Sequence, residues 1–167
     1  MSDVHLNFVK QQGFEDASAR TCGVRYPALM FQPRVIGVIV LAGLYLQSPW
    51  LFLGLSAVLW WNVALPALNP FDRLYDALVG ARKGLPPLPP APAPRRFAQS
   101  MAATFTLAIG LSLLAASKTL AWVFEAFLVV ALSALIFGNF CLGSYVFHLL
   151  TGHGEFANRT LPWSRRA

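Results

Sequence analysis

Two cysteines and three histidines are the side chains here best suited to nucleophilic or soft-ligand chemistry. Cys141 and His148 stand seven residues apart, two turns on one face of a helix. Cys22 and His5 lie on a polar N-terminal stretch. If that stretch folds back onto the helix end, the four could converge as thiolate and imidazole ligands for a soft metal. The competing account is packing, with Cys141 a small buried residue, Cys22 a free thiol and both histidines at headgroup level. No pair has the close spacing of a zinc ligand set, and two cysteines make no disulfide framework. Two charged side chains sit in apolar surroundings, Glu125 and Arg34. Each is a candidate for an ion or proton path. Each also fits a boundary position, Glu125 beside Lys118 and Arg34 beside a lipid phosphate. Asn62 and Asn139 are placed to bridge helices. No nucleotide-binding loop, nucleophile elbow or His-Glu-x-x-His pattern occurs, so no motif names a cofactor.

These residues need positioning, and the composition says by what. The chain has 167 residues, enough for one domain. Apolar residues make up 56% and charged residues 12%, against about 25% charged in soluble domains. The apolar residues come in long blocks, which favours membrane spans over a soluble bundle with polar faces. The net charge of +6 does not point to nucleic acid. The basic residues flank apolar runs, where they fit anionic headgroups, and no basic patch interleaved with aromatics appears. Residues 1–25 are polar and of mixed charge, without the apolar core of a signal peptide.

The chain is organised around residues 69–97, the long polar interval between two apolar halves. Asn69-Pro70 opens a helix as N-cap and first position. Phe71, Leu74, Tyr75, Leu78 and Val79 recur at helical spacing, while Asp72, Arg73, Asp76, Arg82 and Lys83 point elsewhere. This is a short amphipathic helix for the membrane interface, ended by Gly84. Six prolines in residues 85–94 make a stiff, extended spacer. Before this interval lie a polar arm, residues 1–25, and a first hairpin, residues 26–68. In the arm, His5 to Val9 alternate weakly as a short strand would, and Asp16 to Arg20 read as a turn of helix. A span over residues 26–47 would contain Pro33 and Arg34 and kink there, with a re-entrant segment as the alternative. A turn at Gln47-Ser48-Pro49 leads to a second span, residues 50–68, with Trp50, Trp60 and Trp61 toward its ends. The second hairpin, residues 98–150, has a span at 98–117 and a turn at Ser117-Lys118-Thr119. Its last apolar run, residues 120–150, would be about 46 Å long as one helix. It must overrun the bilayer, tilt, or break near Gly138 or Gly143. Small-residue pairs Ala108/Ser112 and Ala134/Gly138 suit close helix packing. Residues 151–167 form a basic tail.

Twelve of the thirteen Lys and Arg residues fall on the arm to Arg34, the centre and the tail, and one, Lys118, on a turn. The expected architecture is therefore an all-α polytopic membrane protein. Four transmembrane helices form two hairpins with an interfacial helix between them, and both termini are cytoplasmic. Its partners are the lipid bilayer and either another membrane protein or a second copy of itself. The function this suggests is a non-enzymatic accessory or scaffold subunit. The alternatives are a thiol-dependent protein handling sulfur, redox equivalents or a metal through Cys141, and a small solute transporter.

Two stretches also carry a resemblance. Pro94-Arg95-Arg96-Phe97-Ala98-Gln99 ahead of one span, with Phe137-Gly138-Asn139-Phe140-Cys141-Leu142-Gly143-Ser144 at the end of the next, resembles the bacterial integral-membrane family catalogued as domain of unknown function 4395. The resemblance covers residues 28–150 and implies a four-helix protein of the bacterial inner membrane. It also implies Cys-x-x-Cys at the end of this region, where this chain has Cys141 and Ser144. If members work by dithiol chemistry, this one lacks the resolving thiol, and Cys141 could bind or carry sulfur without closing a local disulfide.

Overall fold

The computed structural model describes residues 3–14 and 19–164, and their regular elements are all helical. α1 (Asp3–Gln11) stands where the sequence suggested a short strand. Leu6, Asn7, Phe8, Val9 and Gln11 of α1 are all buried. Over nine residues the alternation His5-Leu6-Asn7-Phe8 imitates a strand, and the helical pattern that α1 also carries is too short to outweigh it. The predicted turn at Asp16 to Arg20 falls mostly outside the described residues, and the chain is helical from Ala19.

α2 (Ala19–Leu46) runs as one continuous helix through Pro27 and Pro33. Gln47, at φ 45°, ends it in the left-handed conformation. α3 (Pro49–Ala64) starts with proline in its first turn. It stops short of the expected Leu68. Leu65, before Pro66, leaves the helical region at φ −126° and ψ 68°, and a 3-10 turn, Pro66–Leu68, follows. The sixteen residues of α3 span about 24 Å, less than the hydrocarbon thickness of about 30 Å.

Asn69 caps α4 (Pro70–Tyr75) as expected, its Oδ1 accepting from the Phe71 N–H at 3.0 Å. The helix continues through a π-turn, Asp76–Gly80, into α5 (Ala81–Lys83), and Gly84, at φ 60°, terminates it. The proline-rich run carries no helix until α6 (Ala93–Leu114), which starts earlier than the sequence suggested because Pro94 fits a first helical turn. Ala116, at φ 55°, makes the turn into α7 (Lys118–Ile136). The last apolar run breaks at residues 137–141, with Asn139 at φ 54°. A Cβ at Gly138 would stand 2.6 Å from the Ala134 carbonyl oxygen, so the break is built on that glycine. α8 (Leu142–Leu150) and α9 (Gly154–Arg159) follow. The tail is therefore partly helical, and Asn7 of α1 donates to the Leu161 carbonyl at 3.3 Å.

Three helical segments are long and apolar enough to cross a membrane: Thr21–Leu46, Ala93–Leu114 and Lys118–Ile136. α3 lies antiparallel along α6. The Ser56 hydroxyl donates to the Ala103 carbonyl at 2.9 Å, and the Arg96 guanidinium to the Val63 carbonyl at 3.1 Å. Close approach there depends on Gly110, where a Cβ would meet Leu53 at 2.7 Å. One apolar cluster, around Phe52, Leu59, Ile109 and Leu128, fills the middle of the helix group. A second, with Phe8, Val9, Met30 and Cys141, joins α1 to α2 and the start of α8. The turns at Gln47 and Ala116 lie at one end, and α1, α4, α5, α8 and α9 gather at the other.

Candidate thiol site and its polar surround

Where the non-spanning helices meet the spans, a polar network is buried. The Arg95 guanidinium grips the Asp72 carboxylate with two bonds, 2.7 and 3.0 Å. Its Nη2 also donates to Gln32 Oε1 at 2.8 Å. That same oxygen accepts from Gln99 Nε2 at 3.1 Å and from Asn69 Nδ2 at 3.3 Å. Asn69 Nδ2 further donates to Asp72 at 3.0 Å. Five side chains from α2, α4 and α6 thus tie the central interval to two spans. Such a forked pair is directional, which fixes the register of α4 against α6. The amphipathic pattern sets Asp72 off the apolar face of this helix. It is buried instead, because its partner Arg95 is buried too. Next to it, burial pushes the Asp76 carboxyl above the usual carboxylate range, and the Asp72 charge adds to the rise.

Cys141 is the N-cap of α8, and Ser144 follows three residues on. The Ser144 hydroxyl stands 3.3 Å from Cys141 Sγ and the same distance from the Pro94 carbonyl oxygen. Gln11 of α1 latches α8 at two points. Its side-chain Oε1 accepts from the Cys141 backbone N–H at 3.2 Å, and its carbonyl oxygen lies 3.1 Å from His148 Nε2. Gly143 lets α8 meet α6 backbone to backbone, since a Cβ there would stand 2.6 Å from Ala98 Cα. Cys141 lines a cavity of about 80 Å³ together with Gln32, Arg95, Gln99 and, from α1, Phe8 and Gln12. Gln99 Oε1 is buried without a hydrogen-bond partner, and so is Gln11 Nε2 beside the Cys141 backbone. Buried orphans of this kind are rare. An unfilled acceptor therefore lies on the lining of the Cys141 cavity, and an unfilled donor on the side chain that holds the Cys141 backbone.

Residues 26–151 match the family described as Domain of unknown function (DUF4395). The chain belongs to the DUF4395 family. No curated protein and no solved structure matches it. In this DUF4395 chain the two stretches that carried the resemblance face one another. Arg95 and Gln99 form one side of the cavity and Cys141 another.

Of the residues singled out from sequence, Cys141 and His148 come together through Gln11. Cys22 is a buried free thiol in the same apolar cluster as Cys141. His5 is turned elsewhere, stacked on Tyr26 at 3.9 Å between ring centres. Among the described residues no three of His, Cys, Asp or Glu gather as a metal site would need. Glu125 is buried and takes its hydrogen bond from Gln47 Nε2 at 3.3 Å, across from the first turn. Arg34 is exposed beside a groove between α2 and α7. Asn139 does bridge helices, accepting from the Tyr26 hydroxyl at 2.5 Å. Asn62 is fully buried with neither side-chain atom partnered, so it makes no bridge to a neighbouring helix. Gln11, Gln32 and Gln99 carry no sequence signal beyond being amides in apolar neighbourhoods, and that signal was available.

Proposed function

We propose that this protein is a membrane-embedded thiol carrier, in which Cys141 accepts and passes on a single sulfur atom. The observation that carries the reading is a cavity lined by both Cys141 and Gln99, whose amide oxygen is orphaned, with the orphaned Gln11 amide nitrogen beside the Cys141 backbone. The two cavities that Cys141 lines, of about 80 and 150 Å³, admit waters or a short sulfur extension. Gln99 Oε1 offers an unfilled acceptor within the cavity that a terminal sulfur on Cys141 would enter, and Gln11 Nε2 an unfilled donor beside the Cys141 backbone. Ser144 stands at the place of a resolving thiol in Cys-x-x-Cys, so the site favours sulfur transfer over a local disulfide. In the transfer, the Cys141 thiolate attacks the outer sulfur of a donor persulfide R–S–SH. An S–S bond forms at Cys141 as the donor S–S bond breaks, giving Cys141–S–SH and R–S⁻ without net oxidation.

The surfaces expected to dock a larger assembly are used internally only in part. The helix from Pro70 packs Phe71 and Tyr75 inward but leaves Leu74 and Leu78 exposed, and of the proline run Ala91 is buried while Pro86, Pro87, Pro89 and Pro90 are exposed. A partner keeps one specific support, the length of α3. A span of about 24 Å mismatches the bilayer, and association with another helix is one way such a span is accommodated. With α3 as a fourth crossing, the distribution of basic residues gives two hairpins in the bacterial inner membrane, the Cys141 end and both termini facing the cytoplasm.

Purified full-length protein carrying Cys22→Ser, treated with inorganic polysulfide, should gain the mass of one sulfur atom. Peptide mapping should place it at Cys141. A folded protein that gains none would contradict the proposal. Stoichiometric recovery of another membrane protein in mild detergent, with no sulfur uptake, would turn the reading to the accessory subunit.

A further inference from the structure

A groove of about 390 Å³ runs between α2 and α7 and includes Arg34 in its lining. Val38 and Leu41 form its wall on α2, and Val129, Ser133 and Ile136 its wall on α7. Gly37 leaves room at its floor, where a Cβ would stand 3.1 Å from Ile136 Cδ1. Both walls belong to helices long and apolar enough to cross a membrane. Val38 is 68% exposed, so this face is turned outward.

Arg34 comes two residues after Gln32, whose amide lies in the buried polar network at the end where α1 and α4 collect. That puts the guanidinium at headgroup level. Leu41 lies two turns further, about 10 Å deeper along α2. The groove is therefore an apolar trough with a cation at its interfacial end. No acidic residue lines either wall. A second copy of this face would bring another arginine and no carboxylate to answer it. A phospholipid brings a phosphate to the guanidinium and an acyl chain to the trough.

We infer that the α2–α7 groove is a binding site for one anionic phospholipid, its phosphate on Arg34 and one acyl chain along Val38, Leu41 and Ser133. The groove shares Leu132 with the lining of the Cys141 cavity but includes neither Cys141 nor the buried amides, and its lipid does not depend on thiol chemistry.

Native mass spectrometry of the full chain, released from mild detergent with phosphatidylglycerol or phosphatidylcholine, tests this. The wild type should retain one phosphatidylglycerol at collision energies that strip phosphatidylcholine. Arg34→Gln should lower the retained phosphatidylglycerol at least about tenfold, the equivalent of 1.4 kcal/mol, and Arg34→Lys should restore part of it. Ser133→Phe, which fills the trough, should release both lipids while leaving helicity and Cys141 labelling unchanged. Equal retention of the two lipids by the wild type would overturn the inference. So would undiminished retention by Arg34→Gln, or a dimer without bound lipid that Ser133→Phe dissociates.

Discussion

A thiol and a hydroxyl three residues apart, with Sγ and Oγ at 3.3 Å, stand at the separation where one atom decides between two chemistries. Ser144→Cys places a second sulfur at that position. Mild oxidation of this variant should close a disulfide to Cys141, seen as the loss of two hydrogens in the intact mass and of two alkylatable thiols. The wild type, with Cys141 and Cys22 both buried and unpaired, should show neither change. At the same scale, Asp72 and Arg95 were not legible as partners. A charge in a mostly apolar chain reads as a water-facing or topology residue, and no spacing rule links positions 23 apart. Only the fold reveals the pair. Asp72→Asn leaves the Arg95 charge buried without its counter-charge, a loss of about 3–5 kcal/mol. Thermal unfolding in detergent should register it. Asp72→Leu with Arg95→Met should recover more than half, because neither charge then remains buried.

α8 holds Cys141 in place by lying against α6, and Gly143 is the point of contact. Gly143→Ala sets a methyl group against the Ala98 backbone, which cannot move aside as a side chain could. The expected cost is about 1–3 kcal/mol, together with faster reaction of Cys141 with a small disulfide reagent as α8 lifts. The π-turn after α4 carries a second element-scale expectation. The Asp76 carboxyl is raised by burial and by Asp72, so the folded chain holds its proton to higher pH than the unfolded chain does. Its contribution to stability is present in full below the ordinary aspartate range, about pH 4. It is lost as pH rises through the raised value. Asp76→Asn should thus melt higher than the wild type near neutral pH and match it in acid. Elements with sharp local chemistry were readable in advance, such as the Asn69-Pro70 start, the Gly84 stop and the turns at Gln47 and Ser117. α1 was not, because the alternation from His5 to Phe8 imitates a strand over so short a stretch. Nor was the end of α3, which Pro66 sets four residues before the apolar run gives out.

At the scale of the whole molecule, composition and run length were enough for a helical chain with membrane-crossing segments, and three helices have that length and apolarity. What the runs could not show is how the polar pieces close over the thiol. Residues from 8 to 141 line one cavity, and such distant neighbours leave no local trace in the order of residues. Sulfur transfer at Cys141 requires that cavity to open toward the end where α1, α4 and α9 gather, the end that the proposed topology turns to the cytoplasm. Reaching Cys141 with a small, charged, membrane-impermeant thiosulfonate measures this directly, in the Cys22→Ser background and from each side of the membrane in turn. The account predicts labelling from the cytoplasmic side of inverted vesicles, faster when Gln12→Ala thins the α1 wall, and none from the outer face of intact cells. Labelling from the outer face, or equally from both, would contradict it.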